Sequence, residues 1–256
     1  MLVHVINLDR SGDRLSEFMA VNGHLKELSR FPAIDGGALD VPELVRAGTI
    51  REEILVQDPA IPKDIHAKYT KGALGNALSH IALWGKAIAS ARPLTICEDD
   101  VVFHSQYGAM AETMLGALPS DWDIIFWSWN TNSPILFEAI PGVHWCVAYF
   151  DGANTRETAG IFQRQPLSPM PFRLREVLGM GCYSISPKGA QALKDFCLPL
   201  RRMSPYSVGL KGYVANAGID IMALAAYRTL KAFVSFPPLA IIINDMSRST
   251  VQETTA

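Results

Sequence analysis

The sequence predicts an α/β fold, a single domain with a mostly parallel central sheet flanked by helices. Three observations lead there. Residues 2 to 8, "LVHVINL", are β-branched and apolar; helical spacing follows from Ser11, and then the short strand-like "SRFPAIDG". Such a strand–helix–strand opening usually feeds a parallel sheet with helices on its faces. The alternation then recurs: the striped helix "KGALGNALSHIALWGKAIAS" runs through Arg92-Pro93 into the strand "LTIC". Finally, no internal repeat and no low-complexity linker divides the 256 residues, so one domain is the expected count.

Composition narrows the class. Hydrophobic residues make up 49% and charged residues 19%, as in ordinary soluble proteins, and the net charge of -2 excludes a general attraction to nucleic acid. Cys97, Cys146, Cys182 and Cys197 form no CxxC pair and sit in apolar contexts. They read as buried reduced thiols, neither a disulfide framework nor a zinc site. No basic segment followed by a long apolar run opens the chain, and runs such as "FPPLAIII" are too short to span a bilayer. The expectation is a soluble, cytoplasmic protein. "LPLRRM", residues 198 to 203, is either an ordinary surface turn or a basic-apolar contact with the cytoplasmic face of the inner membrane.

The elements follow in order. Ser11 reads as the N-cap of a helix reaching about Leu28, with Leu15, Phe18, Met19 and Leu25 at helical spacing. A short helix covers "VPELVRAG", and prolines break "QDPAIPKD" into a surface loop. Leu74, Leu78, Ile81 and Ile88 stripe the next helix. After "LTIC" come a helix over "SQYGAMAETMLGAL" ending at Pro119, the strand "WDIIFWSW", and an antiparallel strand "HWCVAYF". Residues 151 to 176 show no clear period and read as an irregular binding segment. "GCYSIS" returns as a strand and "PKGAQALKDFCL" as a helix with Pro187 in its first turn. "GIDIMALAAYRTL" is a further helix, "KAFVSFPPLAIII" the last strand region, and "NDMSRSTVQETTA" is polar.

Chemistry concentrates in "LTICEDDVVFH", where Glu98, Asp99 and Asp100 stand between apolar runs. Strand alternation puts Glu98 and Asp100 on one face and Asp99 on the other. At the carboxyl end of a strand in an open α/β sheet, such a pair lies where ligands bind. Two converging carboxylates need compensation, and a hard divalent cation, Mg²⁺ or Mn²⁺, supplies it. The plainer alternative is an acidic turn facing water. Asn7, Asp9 and Arg10 occupy a second such place, after a strand and before a helix start that favours phosphate. Arg10 and Arg14 would pair with phosphate or brace the loop, while Asp9 and Ser11 would otherwise cap the helix.

The segments "VINLDRSGDRL", "GALGNALSHIALW", "LTICEDDVVF", "GCYSISPKGAQAL" and "GIDIMALAAY", in that order over about residues 3 to 250, resemble glycosyltransferase family 25. That family includes bacterial lipooligosaccharide galactosyltransferases, and a related domain occurs in collagen galactosyltransferases. The resemblance implies a GT-A-like single domain through about residue 250. Its nucleotide-sugar half would cover about 1–105 and its acceptor half about 106–250, leaving 251–256 as a polar tail. It implies a UDP-sugar donor, usually UDP-galactose, used with Mn²⁺ (or Mg²⁺), and a glycan acceptor. Asp100 would ligate the metal, and Glu98 would reach it through water or hold the ribose. Asn7, Ser79 and His80 would contact the donor, as would Asn76, which replaces a cysteine common in the family and so bears on the donor sugar. Asp220 would be the base of an inverting transfer, with Asp151 and Asp245 in reserve; Asp245 with Ser247 would also close the metal or diphosphate site. Arg156, Arg164 and Arg173 would meet anionic groups of the acceptor. Two other readings stay open: a metal-dependent nucleotidyl- or phosphotransferase, although no "GxxxxGK[ST]" is present, and a catalytically silent module that binds nucleotide-sugar or glycan.

Overall fold

The computed structural model describes residues 2–62, 65, 67–151 and 155–243. β1 (Val3–Asn7) is buried along its length, α1 (Gly12–Val21) follows, and β2 (Leu28–Pro32) returns parallel to β1 with Val3 opposite Leu28. The opening unit is therefore as the pattern predicts. α1 stops well before Leu28, however. The buried Asn22 at its end gives Nδ2–H to the carbonyl of Val101 (2.8 Å) and accepts the N–H of Phe103 (2.9 Å), which ties the chain down there. Ser11 takes the N-cap position without a side-chain capping bond.

α2 (Val41–Arg46) is capped by Asp40, and α3 (Lys71–Ser90) by Thr70, each accepting a backbone N–H from the first turn. α3 ends on Ala91 in the left-handed region, just ahead of the Arg92-Pro93 step. β3 (Leu94–Glu98) carries the first acid, a turn holds the other two, and β4 (Val101–Phe103) follows. α4 (Tyr107–Ala117) precedes β5 (Ile124–Phe126). β6 (Ile135–Ile140) and β7 (His144–Ala148) form an antiparallel pair. The sequence pattern alone predicts no strand at β6.

The stretch 151–176 is not irregular throughout. It contains α5 (Thr155–Phe162) and β8 (Met170–Glu176). β8 alternates Phe172, Leu174 and Glu176 against Arg173 and Arg175, and its arginines hide an ordinary strand. Arg173 Nη2 donates to the carbonyl of Leu230 (2.6 Å) and its guanidinium lies 5.6 Å from the centre of the Phe233 ring; Arg175 pairs with Glu138. Arg173 is thus engaged inside the fold, while Arg164 is exposed. The remaining elements are β9 (Cys182–Ile185), α6 (Pro187–Cys197), the small antiparallel pair β10 (Tyr206–Ser207) and β11 (Gly212–Tyr213), α7 (Ile219–Ala226), β12 (Ala232–Phe236) and β13 (Ala240–Ile242).

The main sheet has nine strands in the order β2-β1-β3-β9-β5-β12-β8-β6-β7. It is mixed, which corrects the mostly parallel expectation. Only β1–β2, β1–β3 and β5–β12 run parallel; β9 enters antiparallel between β3 and β5, and β12-β8-β6-β7 continue antiparallel. β9 is buried at all four positions, so its pattern matches that of a parallel core strand and conceals its direction. β4 and β13 pair separately.

Two cores cover the sheet. One joins Ile96, Phe126 and Tyr183 to Leu74, Ala77, Leu83 and Trp84 of α3 and to residues of α6 and α7. The other joins Val5, Cys97, Cys182 and Trp127 to Phe18 of α1 and to Tyr107, Ala111 and Met114 of α4. Each fully buried large side chain contributes about 1.5–3 kcal/mol. Cys97, Cys182 and Cys197 are buried free thiols and Cys146 is half-buried. Among the described residues, no helix is long and apolar enough to cross a membrane. In "LPLRRM", Leu200 is buried, Arg201 donates to the carbonyl of Phe196 (2.8 Å), and Arg202 donates to that of Glu53 (2.6 Å).

Candidate functional site

The parallel register of β1 and β3 sets Ile6 opposite Glu98, so the ends of the two strands lie side by side. Alternation along β3 sends Ile96 and Glu98 toward α3, and Cys97 and Asp99 toward the opposite face. Glu98 meets two side chains one helical turn apart on α3. Asn76 Nδ2–H donates to its Oε1 at 2.8 Å, and His80 Nε2 lies 3.5 Å from that same oxygen. Burial alone would raise the Glu98 carboxyl, but His80, Asn76 and the charge of Arg14 outweigh it and leave it below the usual range.

Asp99 points the other way. It accepts Nδ2–H of Asn7 at 2.7 Å and pairs with Arg14, so Arg14 braces the acidic turn from the first turns of α1. Burial outweighs these partners and raises its carboxyl. Asn7 is itself buried and fully used. Its Nδ2 also donates to the carbonyl of Ser11 (2.9 Å), and its Oδ1 accepts from Arg30 Nε (3.0 Å). Asn7 therefore closes the loop that leads into α1, the helix Ser11 was expected to cap.

Asp100 differs from both. Its Oδ1 is buried and has no hydrogen-bond partner. Burial first, then the negative charge of Glu98, pushes its carboxyl up to about 7. Neighbouring carboxylates whose titrations are driven apart share a site that cannot hold two charges unaided. An orphaned carboxylate oxygen near a second carboxylate suits a divalent cation, whose charge would let both ionise and whose coordination would occupy the orphaned oxygen. Among the described residues, no cluster of three or more His, Cys, Asp or Glu side chains is gathered for a metal ion. The protein's share of such a site would thus be Glu98 and Asp100, leaving the other positions to ligand oxygens and water. Asp245, expected as a further metal ligand, and Ser247 lie outside the described residues.

Asp220 opens α7 and is linked to the acids through the segment before β9. Glu98 N–H donates to the carbonyl of Gly181 (2.8 Å), and two residues earlier Gly179 N–H donates to Asp220 Oδ2 (3.0 Å). Gly179 has φ +83°, and a side chain there would press on Asn130 at 3.1 Å, so the hairpin-like approach needs glycine. Burial raises the Asp220 carboxyl, against the pull of the Gly179 N–H, and the Glu98 charge adds to the rise. A carboxylate made more basic by burial suits proton abstraction.

The remaining expected residues are placed differently. Asp9 is exposed and pairs with Arg30, and Arg10 pairs with Asp35, so both lie on the rim in ion pairs. Ser79 is buried and its hydroxyl is consumed by the fold: it donates to the carbonyl of Gly75 (2.7 Å) and accepts the N–H of Ile34 (2.9 Å). His80 is also fully buried, so it meets Glu98 and not open solvent. Asp151 is exposed, and the Arg156 side chain lies outside the described residues. Sequence reasoning does not single out Trp84 or Tyr183, whose side chains stand behind His80. Their signal is present, since Trp84 follows His80 by one helical turn and Tyr183 lies inside "GCYSIS".

A family profile described as "Glycosyltransferase family 25 (LPS biosynthesis protein)" matches residues 1–204. The match ends before α7, so Asp220 stands outside it. A curated human relative, "Inactive glycosyltransferase 25 family member 3", is 29% identical over 164 residues, covering 57% of this chain; the chain spans about a quarter of that relative, 26%. Among solved structures, "Crystal Structure of A197 from STIV" aligns over 91% of this chain and 80% of that one, at 8% identity and a TM-score of 0.38. A mannose-1-phosphate geranyltransferase from Thermus thermophilus aligns over 91% and 72%, at 12% identity and a TM-score of 0.33. Neither structural likeness is close enough to bear on the site.

Proposed function

The chain belongs to glycosyltransferase family 25 (LPS biosynthesis protein), and on that premise we propose that it is a metal-dependent, inverting glycosyltransferase with a GT-A-like nucleotide-sugar site. It moves a sugar, galactose from UDP-galactose, to a hydroxyl of a glycan acceptor such as a bacterial lipooligosaccharide or another surface glycan. The observation that carries this reading is the buried, unpartnered Asp100 Oδ1 beside Glu98 at the end of β3.

In this reading Glu98 and Asp100 would hold Mn²⁺ or Mg²⁺, with the donor diphosphate completing the site. When bound, the ion supplies Lewis-acid neutralisation of the charge that builds on the departing UDP. The protein's own residues do the rest. Asn7 and Arg14 hold Asp99 and so fix the acidic turn at the mouth of β1. Asn76 and His80 orient Glu98. Asp220, tethered by Gly179, takes the proton from the acceptor hydroxyl as that oxygen attacks the anomeric carbon. Arg10 and Asp9, now in ion pairs on the rim, would give these up to meet the nucleotide.

The test is a screen of UDP-sugars for slow hydrolysis without acceptor, in Mn²⁺ and in EDTA. Release of UDP from one sugar in Mn²⁺ alone supports the reading, and no release from any sugar opposes it. A second reading, binding of nucleotide-sugar without turnover, draws on the description of the human relative as inactive. Tight Mn²⁺-dependent UDP binding with no hydrolysis or transfer would favour it.

A further inference from the structure

Behind His80, on the α3 side of Glu98, stand two more fully buried polar side chains, Trp84 and Tyr183, that the mechanism above does not use. Trp84 Nε1 lies 2.8 Å from the Tyr183 hydroxyl oxygen, and that oxygen lies 2.8 Å from His80 Nδ1. The rings of His80 and Tyr183 are stacked, with centroids 5.7 Å apart. All three side chains are closed to solvent. His80 Nε2 has no hydrogen-bond partner, and Glu98 Oε1 is the acceptor it faces, at 3.5 Å.

The direction of each proton in this line follows from donor and acceptor capacity. Indole nitrogen can only donate, so Trp84 gives its hydrogen to the Tyr183 oxygen. The Tyr183 hydroxyl has one hydrogen of its own, and the available acceptor is His80 Nδ1. If Nδ1 carried a hydrogen instead, the Tyr183 O–H would be left buried without an acceptor, and two N–H groups would converge on one oxygen. Nδ1 is therefore the acceptor, and the single imidazole hydrogen sits on Nε2, facing Glu98.

We propose that Trp84, Tyr183 and His80 form a proton-ordered relay that locks His80 as its Nε2–H tautomer and thereby sets the orientation of Glu98. Both α3 donors, Asn76 and His80, approach Oε1. Oε2 receives no hydrogen bond among the described residues and is the oxygen left for a cation or a nucleotide hydroxyl. Tyr183 and Trp84 are thus positioning residues, acting through His80. The role as a cation or nucleotide contact rests on the donor-site reading above, whereas the tautomer stands on the buried geometry alone.

The experiment is long-range ¹H–¹⁵N correlation spectroscopy of the full chain labelled at histidine, at neutral pH without metal or nucleotide, paired with UDP titrations in Mn²⁺. The expected spectrum shows His80 protonated at Nε2 and bare at Nδ1. Tyr183→Phe removes the hydroxyl that donates to Nδ1, so the Nδ1 resonance moves from that of a hydrogen-bonded acceptor to that of a free one and Mn²⁺-supported UDP affinity falls about tenfold. His80→Gln, which keeps a donor near the Nε2 position, retains affinity that His80→Asn loses. Should Tyr183→Phe fail to fold, the wild-type spectrum and the Gln/Asn pair still decide. An Nδ1–H tautomer in the wild-type protein overturns the relay, and so does equal affinity in the Gln and Asn variants. If the wild-type protein shows the Nε2–H tautomer but Mn²⁺ does not strengthen UDP binding, the relay is upheld and the donor-site reading fails.

Discussion

Asp100 carries an electrostatic cost that the fold leaves uncompensated. Its carboxyl, ordinarily near 3.8, is pushed up to about 7 by burial and then by Glu98. Between about pH 4 and pH 7 the folded chain therefore holds a proton at this residue that the unfolded chain has lost. Stability from this group falls as pH rises through that window, the reverse of a salt-bridged aspartate. Asp100→Asn removes the charge while keeping the shape. In EDTA above neutrality the variant is expected to melt higher than wild type, on the order of 1–3 kcal/mol. Below pH 4 the two should converge, and thermal scans across pH check this; a variant that melts lower than wild type at every pH would contradict it. Asp220 supports a separate prediction: Asp220→Asn keeps Mn²⁺-dependent UDP binding but lowers transfer about 10²–10⁴-fold, measured by product formation.

At the scale of elements, the site depends on how closely α3 docks. Gly75 sits against the loop after β2, where an added Cβ would lie 2.4 Å from the Ile34 carbonyl oxygen and 2.7 Å from Gly36 N. Gly75→Ala should therefore cost about 1–3 kcal/mol and shift Asn76, its neighbour, away from Glu98. At Gly85, in the same helix, an added Cβ would meet nothing within 4 Å. Gly85→Ala should stabilise by about 0.5–1 kcal/mol. Urea denaturation of the two variants separates packing from helix propensity, and similar shifts in both would contradict the docking account. α3 was legible because its apolar stripe is long. β8 was not, because arginines on one face and prolines before it masked a period of two. The direction of β9 was illegible for a different reason: a strand buried on both faces carries no trace of its neighbours' polarity.

Over the whole molecule, the mixed sheet brings distant segments to the adjacent ends of β1 and β3. Asn7, Asn76, Glu98 and Asp220 come from β1, α3, β3 and α7, and they meet through the turn after β3 and the Gly179–Gly181 approach to β9. Sequence order supplied the acids and the family resemblance, because local spacing marks both. It could not supply the Asn7–Asp99 bond, the Ser79 brace to Ile34, or the Trp84–Tyr183–His80 line, since those pairs are far apart in the chain. The central claim is that Glu98 and Asp100 form a cation site for a nucleoside diphosphate. Calorimetry of UDP binding in Mn²⁺ and in EDTA, on wild type and Asp100→Ala, tests it most directly. Wild type is expected to bind at least about tenfold tighter in Mn²⁺, and Asp100→Ala to show no metal effect. Equal wild-type affinity in Mn²⁺ and in EDTA would contradict the claim.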